Sequence, residues 1–246
     1  MKNPKNEKIL KTNICSSPIE NILLTVRKRL KKEEQTIIYT PNPQILLRAE
    51  KSQKYRKILN SSTINLPDGV GVVLASKLSN GKIKSRIGGI DFAEKLISIA
   101  EKYGYKIFLL GAKPNVANKA KRILNRTHPD LIICGTHHGY FKKSGKENQA
   151  IIKKIASASP DIIFVCLGSP EQEIWITKNK NKLPQIKLFI GLGGSLDVFA
   201  GNAKRAPKLV QAIGFEWLYR TVKEPKRARI FLDIPIFLFK VLINKK

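Results

Sequence analysis

Residues 161–173 read Asp-Ile-Ile-Phe-Val-Cys-Leu-Gly-Ser-Pro-Glu-Gln-Glu. The apolar run does not alternate with polar residues, which is the pattern of a strand buried on both faces. It stops at Gly168, and Pro170 opens a helical pattern that reaches residue 179. The same unit recurs on both sides. Residues 105–110 form a second apolar strand closed by Gly111, followed by a helix over 114–127. A strand over 131–134 precedes a helix over 147–158, and a strand over 186–190 ends at Gly191. Residues 91–103 read as a helix with Phe92, Leu96, Ile99 and Ala100 inward. Continuous apolar strands alternating with amphipathic helices predict an α/β fold. It is a mostly parallel Rossmann-like sheet with helices on both faces. Ligands of such sheets sit at the carboxyl ends of the strands, so the glycine turns are the first candidates for function.

Nearer the N-terminus, Ser17-Pro18 is a helix start, followed by Ile19, Ile22, Leu23, Val26 and Leu30 at helical spacing. Residues 36–40 are a short strand stopped by Pro41 and Pro43, and a helical stretch runs on to about residue 59. Residues 62–66 are another short strand, ending at Pro67-Asp68-Gly69. Residues 1–14 read as a basic, mobile terminus without the apolar core of a signal peptide. Residues 15–213 form the α/β core. Residues 214–246 are a C-terminal helical appendage mixing aromatics with arginine, cut by Pro225 and Pro235 into short helices. Its greasiest stretch, 230–243, is too short and too interrupted to span a bilayer.

The 246 residues are 42 % apolar, enough for a sizeable core, which excludes a mainly disordered chain. Lys plus Arg number 46 against 18 Asp plus Glu, a net charge of +28. Such an excess points to an anionic partner: nucleic acid, an acidic membrane surface or a phosphorylated substrate. A solvated Lys-rich surface accounts equally well for most of it. Cys15, Cys134 and Cys166 show no paired spacing, which fits a reducing, cytoplasmic compartment.

Five constellations carry candidate chemistry. Thr40 and Asn42 end a strand and have the groups to bind a sugar or phosphate; the ordinary reading of such residues is a helix cap. Asp68, between a strand and a glycine turn, is placed as a general base, although Pro-Asp-Gly is also a common turn. Gln172, flanked by Glu171 and Glu173, follows the Gly168 turn at a helix start, where backbone N–H groups favour an anion. Gly191, Gly193, Gly194 and Asp197 form a glycine turn that is neither a Walker loop nor a dinucleotide fingerprint. Lys204-Arg205-Ala206-Pro207, with Arg220, Arg227 and Arg229 beyond, supplies guanidinium groups suited to phosphate. His137 and His138 are adjacent, so on a strand they point to opposite faces. No HExxH, no GxSxG and no Asp-x-Asp pair is present. A diphosphate substrate is then neutralised by Arg, Lys and helix N-termini rather than by a metal.

The order of these segments carries a resemblance. Thr-Pro-Asn at 40–42, Pro-Asp-Gly-Val-Gly at 67–71 and Arg-Ile-Gly-Gly-Ile-Asp at 86–91 are followed by Gly-Ser-Pro-Glu-Gln-Glu at 168–173. Gly-Leu-Gly-Gly-Ser-Leu-Asp at 191–197, Lys-Arg-Ala-Pro at 204–207, Gly-Phe-Glu-Trp-Leu-Tyr-Arg at 214–220 and Glu-Pro-Lys-Arg at 224–227 complete the set. Across roughly 15–245 the chain resembles the WecG/TagA/CpsF family of bacterial glycosyltransferases. The resemblance implies inverting, metal-independent transfer of an N-acetylmannosamine-type sugar from a UDP donor. The implied acceptor is an undecaprenyl-diphosphate-linked N-acetylglucosamine, met at the cytoplasmic face of the membrane. It implies Asp68 as base, Thr40 and Asn42 in the active site, and Arg86 and Gln172 in the substrate pocket. It implies that the arginine-rich appendage closes over the site and touches the membrane. Glu171 departs from the family pattern, where a basic or small residue is expected, and sugar choice varies within the family.

Two other function classes compete. A nucleotide-cofactor oxidoreductase would use a similar sheet, but no GxGxxG follows the first strand. A nucleic-acid-binding protein would use the positive charge, but no recognised module is present, and no specific nucleic acid is expected. The apolar tail also has the composition to pack against a second copy of the chain away from a membrane, which makes a homo-oligomer one further expectation.

Overall fold

The structure is a computed structural model, and it describes residues 4–207, 210, 218–219 and 230–244. In chain order the strands are β1 (Asn6–Ile9), β2 (Thr12–Cys15), β3 (Thr36–Tyr39), β4 (Ile64–Asn65), β5 (Ile107–Gly111), β6 (Ile133–His137), β7 (Ile162–Cys166) and β8 (Leu188–Gly191). The helices are α1 (Ile19–Lys31), α2 (Pro43–Lys51), α3 (Gln53–Asn60), α4 (Val70–Leu78) and α5 (Gly89–Tyr103). They continue with α6 (Val116–Thr127), α7 (Gly145–Ala158), α8 (Glu171–Asn179), α9 (Ser195–Phe199) and α10 (Ile230–Ile243).

The chain divides into two compact units that do not follow chain order: Met1–Ile22, Thr40–Gly88 and Lys204–Lys246 in the first, Leu23–Tyr39 and Gly89–Ala203 in the second. The second unit carries the parallel sheet, with β3, β8, β7, β5 and β6 side by side in that order. Every residue of β3, β5, β7 and β8 is buried. Helices therefore cover both faces, as the unbroken apolar runs predict. From β5 the chain moves outward to β6, whereas from β7 it moves the opposite way to β8. The carboxyl ends of β5 and β7 thus flank a topological switch point. The backbones close tightly there: a Cβ on Gly111, whose φ is +138°, would lie 2.2 Å from the Cys166 carbonyl oxygen.

The first unit holds its own core, in which Ile9, Leu10, Ile14, Leu46, Val72, Ile83, Phe237 and Val241 meet. Three sequence expectations change here. The terminus expected to be mobile forms an antiparallel hairpin, pairing Asn6 with Cys15 and Ile9 with Thr12. Ile9 and Ile14 drive it by burying their side chains in this core. The helical stretch of 43–59 is two helices, because Ser52 leaves the helical conformation and caps α3 through the Tyr55 N–H. The C-terminal stretch expected to break at Pro235 is one helix, α10, which runs through that proline and packs on α2 and α4. Burial of Phe237 and Val241 against those helices offsets the hydrogen bond that Pro235 removes.

Candidate active site

In the first unit two backbone hydrogen bonds gather the residues expected to act. The Asp68 N–H donates to the Pro41 carbonyl at 3.3 Å, and the Ile87 N–H donates to the Pro67 carbonyl at 2.8 Å. The loops carrying Thr40 and Asn42, Asp68, and Arg86 therefore converge although 46 residues of chain separate their ends. Thr40 is buried, while Asn42, Asp68 and Arg86 are half-buried. The half-buried setting of Asp68 suits a base, since it meets a substrate while part of its hydration is removed. Asn42 is the N-cap of α2, its Oδ1 accepting from the Ile45 N–H at 3.0 Å. This cap engages Oδ1 and not the Nδ2 amide group. Gly71 packs against this loop, for a Cβ there would lie 2.7 Å from Pro43 Cγ. Arg205, half-buried, also belongs to the first unit.

In the second unit the structure brings Gln172, Gly191 and Gly193 together. Gln172 is 2 % exposed and Glu173 1 %. Gln172 Oε1 accepts from the Gly193 N–H at 2.9 Å, and its Nε2 donates to Glu173 Oε1 at 2.8 Å. Gly191 must be glycine for this contact, since a Cβ there would lie 2.9 Å from Gln172 Nε2. Gln172 thus anchors the glycine turn through its amide. The Asp197 N–H donates to the Gly194 carbonyl, opening α9, which is five residues long.

Sequence reading missed Glu173 as part of this network, treating it as helix-end chemistry; the adjacent Gln-Glu pair was the available signal. Tyr39 completes it. Its hydroxyl donates to the Glu173 carbonyl at 3.3 Å and meets Thr177 Oγ1 at 3.2 Å. Burial pushes the Tyr39 phenol well up, so it stays a neutral donor. Replacing Gln172 with Leu leaves the Gly193 N–H and the buried Glu173 carboxylate without these partners. The unfolding free energy should fall by roughly 2–4 kcal/mol in a urea titration. A loss under about 1 kcal/mol would show that the amide does not hold the turn.

Glu171 is exposed, and Lys143 lies near enough for its carboxylate to pull the ammonium's pKa up, against the larger downward push of burial. His137 ends β6 and the chain turns, so the two histidines do not point apart. Their rings lie 4.4 Å from each other, and His137 Nδ1 bonds the His138 carbonyl at 2.7 Å. Burial pushes the thiols of all three cysteines up, Cys166 to about 12, so none is a ready nucleophile at neutral pH. Among the described residues no group of three or more His, Cys, Asp or Glu side chains gathers as a metal site, and no helix is long and apolar enough to cross a membrane. Arg220, Arg227 and Arg229 lie outside the described residues.

Residues 7–246 match the model of the glycosyl transferase WecG/TagA/CpsF family. The chain belongs to that family. A protein of Bacillus subtilis strain 168 is 40 % identical over 210 residues, 85 % of this chain and 80 % of its own length. One of Bacillus spizizenii is 37 % identical over 217 residues, covering 88 % and 82 %, and one of Staphylococcus aureus MRSA252 is 37 % identical over 209, covering 85 % and 80 %. All three are named N-acetylglucosaminyldiphosphoundecaprenol N-acetyl-beta-D-mannosaminyltransferase. Membership of the family makes this chain a glycosyltransferase, and the matched span takes in the Thr40, Asp68, Arg86 and Gln172 loops alike.

Proposed function

We propose that this glycosyltransferase moves N-acetylmannosamine from UDP to the N-acetylglucosamine of an undecaprenyl-diphosphate acceptor. The relatives' printed name supports the two sugars and the lipid diphosphate. The observation that carries the chemistry is the convergence of Thr40, Asn42, Asp68 and Arg86 through the two backbone hydrogen bonds of the first unit.

In the proposed step Asp68 removes the proton of the acceptor hydroxyl while that oxygen attacks the anomeric carbon of the donor. The carbon–oxygen bond to UDP breaks, and the electron pair leaves with the diphosphate, inverting the centre. Cationic side chains stabilise the leaving charge without a metal, with Arg86, Arg205, Arg220, Arg227 and Arg229 as the candidates. Thr40 and Asn42 orient the acceptor by hydrogen bonding. Gln172 acts at one remove, by shaping the Gly191, Gly193 and Gly194 turn beside Asp197.

The enzyme works at the cytoplasmic face of the membrane, bound peripherally. Supporting this, α10 exposes Leu232, Ile236, Phe239 and Ile243, which share one helical face at spacings of four, three and four. Leu74 and Leu78 of α4, the helix on which α10 packs, are also exposed. Apolar helical faces flanked by basic chain bind anionic lipid surfaces.

The test is UDP release from a panel of UDP-sugars, with and without a short-chain prenyl-diphosphate-N-acetylglucosamine. Acceptor-dependent release from UDP-N-acetylmannosamine is the expected result. Release from another donor alone would correct the sugar, and none from any donor would reject the reaction.

A further inference from the structure

A cavity of about 190 Å³ opens in the first unit, its wall including Ser16, Ser17, Pro67, Lys82, Lys84 and Ser85. At about 30 Å³ per water it has the room of roughly six waters, enough for a small anionic group. Its position in the chain is informative: Pro67 precedes Asp68, and Ser85 precedes Arg86. The hydrogen bond from the Ile87 N–H to the Pro67 carbonyl fixes these two walls to each other.

The lysines are presented by a built loop. The Gly81 N–H donates to the Ser76 carbonyl at 2.7 Å, and the Ile83 N–H donates to Ser76 Oγ at 3.1 Å. The Lys82 N–H donates to the Glu7 carboxylate, which is thereby engaged with backbone. Gly81 admits that approach because a Cβ there would lie 2.5 Å from Glu7 Oε1. Ile83 is buried in the core, so Lys82 and Lys84 on either side of it stay exposed. Lys82, Lys84 and Ser85 carry the ammonium and hydroxyl donors that a phosphate oxygen accepts from.

We propose that this cavity holds the diphosphate of the lipid-linked acceptor, with Lys82 and Lys84 as its charge partners. The inference rests on the glycosyl transfer proposed above. In such an acceptor the reacting hydroxyl and the diphosphate sit on one sugar ring. The base and the anion site must therefore lie about a ring apart; Asp68 directly follows the wall residue Pro67, and Arg86 directly follows the wall residue Ser85. The sequence reading assigned the phosphates to Arg205 and the arginines beyond it; Lys82 and Lys84 are additional.

The experiment compares the full-length wild type, a K82A/K84A variant and a K153A/K154A control that removes two exposed lysines of α7. Initial rates are taken with UDP-N-acetylmannosamine and three acceptors: a short-chain prenyl-diphosphate-N-acetylglucosamine, its monophosphate counterpart and a phosphate-free alkyl N-acetylglucosaminide. K82A/K84A should raise the KM of the diphosphate acceptor about tenfold, leaving the alkyl acceptor, the donor KM and the thermal midpoint unchanged. Equal loss on all three acceptors, a raised donor KM, or the same effect from K153A/K154A would overturn the assignment. If wild type turns over no acceptor, the transfer reading has failed. Calorimetric titration with inorganic pyrophosphate then decides the cavity alone: binding that K82A/K84A removes supports it, and no binding overturns it.

Discussion

Asp68→Asn should lower kcat about 10²–10⁴-fold, some 3–5 kcal/mol of barrier, with both KM values within a few-fold of wild type. The amide has the shape of the carboxylate but accepts no proton. The substitution leaves the backbone bond from residue 68 to Pro41 intact, so the loop keeps its place. Loss confined to kcat is the signature of a group that acts in the transition state and not in ground-state binding. Asp68→Glu keeps a base but displaces it by a methylene, and a misplacement of about 1 Å costs on the order of 10²-fold. Activity within tenfold of wild type in Asp68→Asn would remove this residue from the role.

Serine at Leu232, Ile236, Phe239 and Ile243 together should release the protein from anionic vesicles. Each exposed side chain contributes roughly 1 kcal/mol on entering the interface, so four lower the partition coefficient about a thousandfold. The fold should hardly notice, since these side chains lie on the outer face of α10; Leu232 is 67 % exposed and Phe239 64 %. The inner face behaves oppositely. Phe237 is fully buried with Leu46, Leu47 and Val72, and Phe237→Ala should cost about 3–5 kcal/mol of stability. Lys240 pairs with Glu50 at 2.9 Å and Gln44 donates to Asp233 at 2.6 Å, fixing which face turns outward. Vesicle co-sedimentation beside thermal unfolding separates the two variants. Undiminished vesicle binding by the serine variant would show that α10 is not the membrane face. Deleting 214–246 should abolish both vesicle binding and turnover. It also strips Phe237 and Val241 from the first unit's core, so the point variants carry the distinction.

How much of this was legible beforehand differs from element to element. The runs 162–167 and 105–110 announced buried parallel strands, because a strand covered on both faces has no polar positions to alternate. The amino-terminal hairpin gave no such signal. Its turn is Leu10-Lys11, with φ of 46° and 64°, where Asn-Gly would be the readable choice. It is held from outside: the Asn60 amide donates to the Lys11 carbonyl, and the Asn13 N–H donates to Asn60 Oδ1, both across more than forty residues of chain. The helix through Pro235 was misread for a related reason. Local propensity places a break there, and only the core beneath α10 overrides it.

From its sequence alone the chain declared its fold class, its family and the residue types at its strand ends, because those follow from local periodicity and from short motifs in a set order. The tertiary structure alone decided which of these residues meet. The Asp68–Pro41 and Ile87–Pro67 hydrogen bonds, the Gln172 amide on the Gly193 N–H and the inward face of α10 all join segments distant in the chain. Such contacts depend on how the elements stack, and stacking is set by the fit of whole buried surfaces, which no short stretch of sequence contains.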